Sequence, residues 1–193
     1  MRAPQVLDHH TVESGKIADL LQSNAMMSTY TLQHLIERLS NATLAPSARA
    51  PINIAAILRE AVTQSDWLPP HRRTANHQNY ARHMLHADAQ GRFSILSIVW
   101  SPGQMSPVHG HHTWCAVGVI RGEIEETFYD APVANGAPVS RRALTRGAGS
   151  ITASAAGDGI HRIANRGSEV AISIHIYGVG ADKVSSGINR VYS

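Results

Sequence analysis

The residues best suited to chemistry are histidines, and two of them stand where a metal ion can be gripped. His109 and His111 lie in GQMSPVHGHHTWCAVGVIRG, residues 103–122. Side chains of a strand alternate faces, so a pair at this spacing turns both imidazoles to one side of a sheet. His112 is then expected on the opposite face, away from any metal. Further on, His161 follows the turn Gly157-Asp158-Gly159 and precedes Asn165 by four residues. It is the candidate third ligand, since neutral imidazole is a common donor to divalent transition metals. His9, His10, His71, His77, His83 and His86 carry no such spacing and are read as non-ligands.

Composition limits what surrounds this group. The chain has 193 residues, 43% hydrophobic and 16% charged, which suits one globular domain with its own core. The formal net charge is only +3, and the adjacent basic pairs Arg72–Arg73 and Arg141–Arg142 are scattered. No basic run interleaved with aromatics predicts nucleic-acid binding. Cys115 is the single cysteine, so no internal disulfide can form, as expected in a reducing cytosol. The first residues lack the apolar core of a signal peptide, and no apolar run reaches the length of a membrane span. A cytoplasmic protein without membrane association is expected.

The elements that must hold the histidines divide at about Asn79. Before it, residues 16–40 show apolar residues at helical spacing: Ile17, Leu20, Leu21, then Leu32, Leu35, Ile36 and Leu39, with Ser28 or Thr31 as cap. Residues 41–51 read as a linker. A further helix is predicted over 52–62, stopped by Pro69-Pro70. After Asn79 the period becomes that of strands, predicted over 80–86, 93–100, 112–120, 123–129, around 143–144, 150–152, 159–164 and 170–178. Short strands at this spacing indicate a sandwich or barrel. In the last of them Ser173, His175 and Tyr177 share one face and Ile172, Ile174 and Ile176 the other. If the polar face lines a barrel, the isoleucines need cover from the N-terminal helices. The expectation is a single domain over 1–193. It comprises a helical region (16–78), a barrel core (79–180) and a C-terminal tail (181–193).

The two histidine stretches together resemble the paired motifs of the cupin superfamily. Gly103, His109, His111 and Gly122 match the first motif, with Cys115 where its glutamate normally stands. His161 and Asn165 match the second, although Ala156 and Asp158 replace its usual proline and glycine. The resemblance implies a mostly β, jelly-roll barrel with the helical region packed outside it. Without the carboxylate, three neutral imidazoles leave a divalent ion its full charge and open positions. A substrate bringing an anionic donor, such as a thiolate, suits that site. No acid within these motifs offers a general base, which disfavours a hydrolytic zinc centre, and the missing carboxylate ligand disfavours a sugar isomerase or zinc cupin.

Residues 79–178 more specifically resemble the cysteine dioxygenase family of thiol dioxygenases. Tyr80-Ala81-Arg82 is similar to its Tyr-x-Arg strand, and residues 93–103 to the strand and turn before its metal motif. His109-Gly110-His111 is similar to its His-Asp-His, with Gly110 departing from the usual aspartate. His161-Arg162 and Ser173-Ile174-His175-Ile176-Tyr177 are similar to its third-ligand strand and Ser-x-His-x-Tyr stripe. The resemblance implies mononuclear non-haem Fe(II) on His109, His111 and His161, with a small thiol on the iron. The thiol's carboxylate would lie on Arg82, beside Tyr80. Tyr177 would serve the reacting oxygen or sulfur, backed by His175 and Ser173. It also implies a thioether between Cys115 and Tyr177, as in some members.

The reading is therefore oxidation of L-cysteine to cysteine sulfinic acid with O2. The alternative thiol is 3-mercaptopropionate, because His112-Thr113-Trp114 and Val119-Ile120-Arg121-Gly122 are similar to that branch, whereas Arg82 favours cysteine. A cupin that binds a metal or ligand without catalysis is the alternative of another class. The expected partners are a small thiol carboxylate and O2. Nothing in the sequence fixes the oligomeric state.

Overall fold

The computed structural model describes residues 30–44, 50–132, 136–184 and 188–192. Its first helix, α1, spans Leu32–Ala42 because Thr31 caps it: the Thr31 hydroxyl accepts from the His34 amide at 3.1 Å. Leu35 and Leu39, four apart, are fully buried. Helix α2, Ala50–Thr63, buries Ile54, Leu58, Ala61 and Val62 along one stripe. It begins inside the stretch expected to be linker. Two short 3₁₀ turns, Ser65–Trp67 and Pro70–Arg72, follow, and Trp67 Nε1 closes back on the Ala61 carbonyl at 2.7 Å. The helix expected around Ile17, Leu20 and Leu21 lies outside the described residues.

Among the described residues, ten strands make two antiparallel sheets. In chain order they are β1 (Ala81–Ala87), β2 (Ser94–Trp100), β3 (Val108–His111), β4 (Cys115–Arg121) and β5 (Glu123–Asp130). Then come β6 (Val139–Gly147), β7 (Ile151–Ser154), β8 (Ile160–Ala164) and β9 (Ala171–Tyr177). The short helix α3 (Ala181–Val184) and β10 (Asn189–Tyr192) follow. One sheet runs β1-β2-β9-β4-β7 and the other β10-β3-β8-β5-β6. The β4–β5 hairpin turns at Gly122, whose φ is +69° and where an added Cβ would meet Ala171 Cα at 2.9 Å, leaving no room for a side chain.

Strand β9 shows how the layers fit. It lies between β2 and β4 and is buried on both faces. Ile172, Ile174 and Ile176 join one apolar cluster with Leu35, Leu39, Ile54 and Leu58 of the helices. Tyr177 belongs to the other cluster, between the sheets, with Leu96, Ile98, Trp100, Val117 and Ile163. Burying each isoleucine contributes roughly 1.5–3 kcal/mol, so the helices hold this strand firmly from outside. The protein is mostly β, with helices covering the outer face of one sheet.

Two expectations need correction. The strand predicted over 112–120 begins three residues later: β3 ends at His111 and β4 runs over Cys115–Arg121. His109 and His111 therefore belong to one sheet and Cys115 to the other. The expected tail over 181–193 instead supplies α3 and β10, and β10 pairs with β3 along Val108–His111. Among the described residues no helix is long and apolar enough to cross a membrane.

Candidate metal centre

Neighbouring strands bring the three histidines together. β3 and β8 are antiparallel with His109 opposite His161, and His111 shares the His109 face two residues on. One ring nitrogen from each lies within 4.8 Å of the others, and Nε2 of His111 is 3.1 Å from Nε2 of His161. All three residues are buried. His112, as expected, is exposed on the other side. His71, His77, His83 and His86 stay out of the group, and His9 and His10 fall outside the described residues.

The backs of the rings decide what the fronts can do. His109 Nδ1 faces the Pro107 carbonyl at 3.0 Å, His111 Nδ1 the Asn189 Oδ1 at 2.9 Å, and His161 Nδ1 the Glu126 Oε1 at 2.9 Å. Each partner is an acceptor, so each Nδ1 carries the hydrogen and each Nε2 keeps its lone pair. Three lone pairs crowded at one point repel unless a cation sits among them. The donor set thus fits a divalent metal in the neutral-imidazole form that metals require. Burial and the neighbouring rings push His109 down to about 4 and His111 to about 3, favouring that form.

Glu126 and Asn189 have no counterpart in the sequence reading. Glu126 sits on β5 between the inward Ile124 and Phe128, and that alternation is the one signal that could have flagged it. Burial pushes its carboxyl up, but the His161 hydrogen bond and the Arg146 charge outweigh this and hold it below its ordinary value. Asn189 comes from β10, a strand too short for periodicity to reveal.

Across the cleft, β9 carries a directed chain of hydrogen bonds. Trp100 Nε1 donates to Ser173 Oγ at 2.9 Å. Among the described residues the acceptor left to the Ser173 hydroxyl is His175 Nε2, 2.8 Å away, so its hydrogen goes there. His175 Nδ1 then carries a hydrogen and donates to the Tyr177 hydroxyl at 3.1 Å. The phenolic hydrogen is left free to point into the cleft. Burial raises the Tyr177 pKa and lowers that of His175, so the first stays a phenol and the second stays neutral.

Arg82 and Tyr80 line the same cleft as the three histidines and Tyr177. Tyr80 stacks on Trp100 with ring centroids 4.6 Å apart. Arg82, on β1, is exposed at the mouth and donates to the Val184 carbonyl at 3.1 Å. Cys115 is opposite Tyr177 in the β4–β9 pairing and is buried, with its thiol pKa raised by that burial. It lines a neighbouring cavity of about 200 Å³, which also reaches Glu126 and His161.

With this geometry in view, the family can be stated. Residues 23–186 match the family described as cysteine dioxygenase type I. The chain belongs to that family. Membership indicates thiol dioxygenase activity for a chain whose three histidines can hold a metal ion.

Solved structures similar to this chain include an uncharacterised Klebsiella pneumoniae protein with a double-stranded β-helix domain. It is 17% identical, covers 64% of this chain and 92% of its own length, and has a TM-score of 0.49. A Cupin 2 conserved barrel domain protein from Salinispora arenicola is 20% identical over 61% of this chain and 90% of its own, with a TM-score of 0.44. In this cysteine dioxygenase family member the barrel is made by the two antiparallel sheets β1-β2-β9-β4-β7 and β10-β3-β8-β5-β6.

Proposed function

We propose that this chain oxidises L-cysteine to cysteine sulfinic acid, RSH + O2 giving RSO2H, with Fe(II) on His109, His111 and His161. The observation that carries the reading is one cleft lined by three convergent imidazoles, the Tyr177 phenol and the Arg82 guanidinium. When bound, the iron supplies O2 activation and a site for the thiolate. The chain's own residues do the rest. Arg82 binds the substrate carboxylate through charge-assisted hydrogen bonds, with Tyr80 alongside. Tyr177 donates to the reacting oxygen or sulfur, while His175 and Ser173 hold its hydroxyl in direction. Fixing both ends of a small molecule in this way is catalysis by positioning.

Cys115 and Tyr177 form a thioether in this reading, because their register pairing sets the two side chains side by side on one face. The bond joins sulfur to an aromatic carbon with loss of the thiol hydrogen and one ring hydrogen, and O2 takes up the two electrons and protons. Peptide mapping after turnover with iron and thiol should show a linked pair lacking two hydrogens. Two separate unmodified peptides would refute the bond.

One observation favours 3-mercaptopropionate as a second reading. Among the described residues, no aspartate or glutamate lines the cleft to receive an ammonium group. Comparing kcat/KM for the two thiols decides between them, and a strong preference for 3-mercaptopropionate would replace L-cysteine. Oxygen uptake by the Fe(II)-loaded protein with a thiol panel tests the whole reading. Sulfinate formation with matching O2 consumption is expected; no uptake with any thiol would leave a binding cupin. The protein acts in the cytoplasm in this proposal, as a single domain.

A further inference from the structure

We propose that Glu126 is a positioning residue of the metal centre, holding and charging the back of His161 while Arg146 holds Glu126. The inference rests on the metal-centre reading above.

Glu126 is 2% exposed, in the middle of β5, in an inward register otherwise occupied by Ile124 and Phe128. A carboxylate in such a place is strongly disfavoured unless both oxygens are paired. They are paired, and asymmetrically. Oε2 accepts from Arg146 Nε at 2.5 Å and Oε1 from His161 Nδ1 at 2.9 Å. Arg146 stands on β6 opposite Ile124, and Leu144 stands opposite Glu126, so the arginine reaches its partner diagonally along the same face. With one oxygen anchored by the guanidinium, the other is aimed at the imidazole.

The other two rings are backed by neutral acceptors, a carbonyl and an amide. His161 alone has an anion behind it. A carboxylate can only accept, so it fixes the hydrogen on Nδ1 and leaves the Nε2 lone pair for a metal. The negative charge also draws on that hydrogen and makes Nε2 the stronger donor, as carboxylates behind ligand histidines do. The carboxylate missing from the direct ligand position, where Cys115 stands, is thus present one residue further from the metal. If Glu126 served only to bury an ion pair with Arg146, none of this would reach the metal.

The test is metal affinity with a spectrum, in wild type, Glu126→Gln and Glu126→Ala. Co(II) is titrated against a competing chelator, and its visible absorption reports the coordination. The cavity beside Glu126 and His161 leaves room for water to reach the ring in Glu126→Ala. We expect Co(II) binding weakened about 10–100-fold in Glu126→Ala, and less in Glu126→Gln, whose amide oxygen still accepts but bears no charge. The Co(II) absorption bands should shift in both. Wild-type affinity and an unchanged spectrum in both variants would overturn the inference. Should Glu126→Ala fail to fold, the near-isosteric Glu126→Gln decides alone by the same two readings. Wild type that binds Co(II) yet oxidises no thiol with iron would remove the proposed function and leave this inference standing. Variants that bind as wild type does, in a protein that turns over thiol, would remove this inference alone.

Discussion

Replacing Tyr177 by phenylalanine removes a single oxygen, and the surroundings of that oxygen determine two separate effects. The first is on stability. The lost hydroxyl is the acceptor for His175 Nδ1 at 3.1 Å, and His175 is only 3% exposed, so water cannot substitute. Leaving a buried donor unpaired costs about 1–3 kcal/mol. For a chain of this length each kcal/mol lowers Tm by about 2–4 °C. The second effect is on turnover. A preorganised donor aimed at developing charge contributes about 2.7–4 kcal/mol, so kcat should fall roughly 10²–10³-fold. The metal site should be untouched, because phenylalanine keeps the ring that packs 5.5 Å from that of His111, and the partners behind the three imidazoles, Pro107, Asn189 and Glu126, are unchanged. The assay is O2 uptake with L-cysteine and with 3-mercaptopropionate at matched iron content, beside a thermal melt. Cys115→Ala serves as control, since it prevents any thioether while leaving the phenol. A Tyr177→Phe protein that melts lower but turns over within about threefold of wild type, under 1 kcal/mol, would refute the role given to the phenolic hydrogen.

Arg82→Gln should raise KM about 10–100-fold for thiols bearing a carboxylate, the worth of a charge-assisted hydrogen bond, and leave cysteamine unaffected. An equal penalty for cysteamine would show that Arg82 acts otherwise. Asp88, held to about 2 chiefly by its side-chain hydrogen bond with Arg92, gives stability present above the ordinary carboxyl range and lost as pH falls towards that value. Asp88→Asn should therefore flatten the loss of urea resistance between about pH 4 and pH 2, and parallel curves would rule the ion pair out as its source. At Gly118 an added methyl would meet Val62 Cγ1 at 2.6 Å and Leu58 Cγ at 3.0 Å. Gly118→Ala should cost about 1–3 kcal/mol by overpacking α2 against β4, read as a lower denaturant midpoint with unchanged metal affinity.

Much of this was legible in the sequence because it depends on short spacing. His109 and His111 two apart, and Ser173, His175 and Tyr177 at the same interval, need only a strand to share a face. The isoleucines between them asked for an apolar cover, and α1 and α2 carry it. What escaped depends on pairing between distant segments. Glu126 meets a ring 35 residues away and Asn189 one 78 residues away, and neither spacing leaves a local pattern. The break at residues 112–114 was hidden as well, since Thr113 and Trp114 are no strand breakers by type. The chain leaves β3 there and crosses to the other sheet, a tertiary decision that strand propensity does not record.

That crossing has a mechanical consequence for the site. The three histidines that could hold a metal stand on β3 and β8 of one sheet, while Arg82, Trp100 and the Ser173–Tyr177 chain stand on β1, β2 and β9 of the other. A substrate bridging iron and guanidinium would span both sheets, so their separation sets how well both ends are met. On the helix side, β9 is fixed by Ile172, Ile174 and Ile176 against Leu35, Leu39, Ile54 and Leu58. Leu58 is fully buried, and Leu58→Ala should cost about 2–5 kcal/mol through the cavity left behind. If the helices are only a cover, that loss appears in the melt and nowhere else. If they also hold β9 at its working distance, kcat falls while metal affinity stays, because the ligands lie on the other sheet. Measuring both on one variant separates a passive lid from a part of the catalytic frame, and unchanged kcat would assign the helices to stability alone.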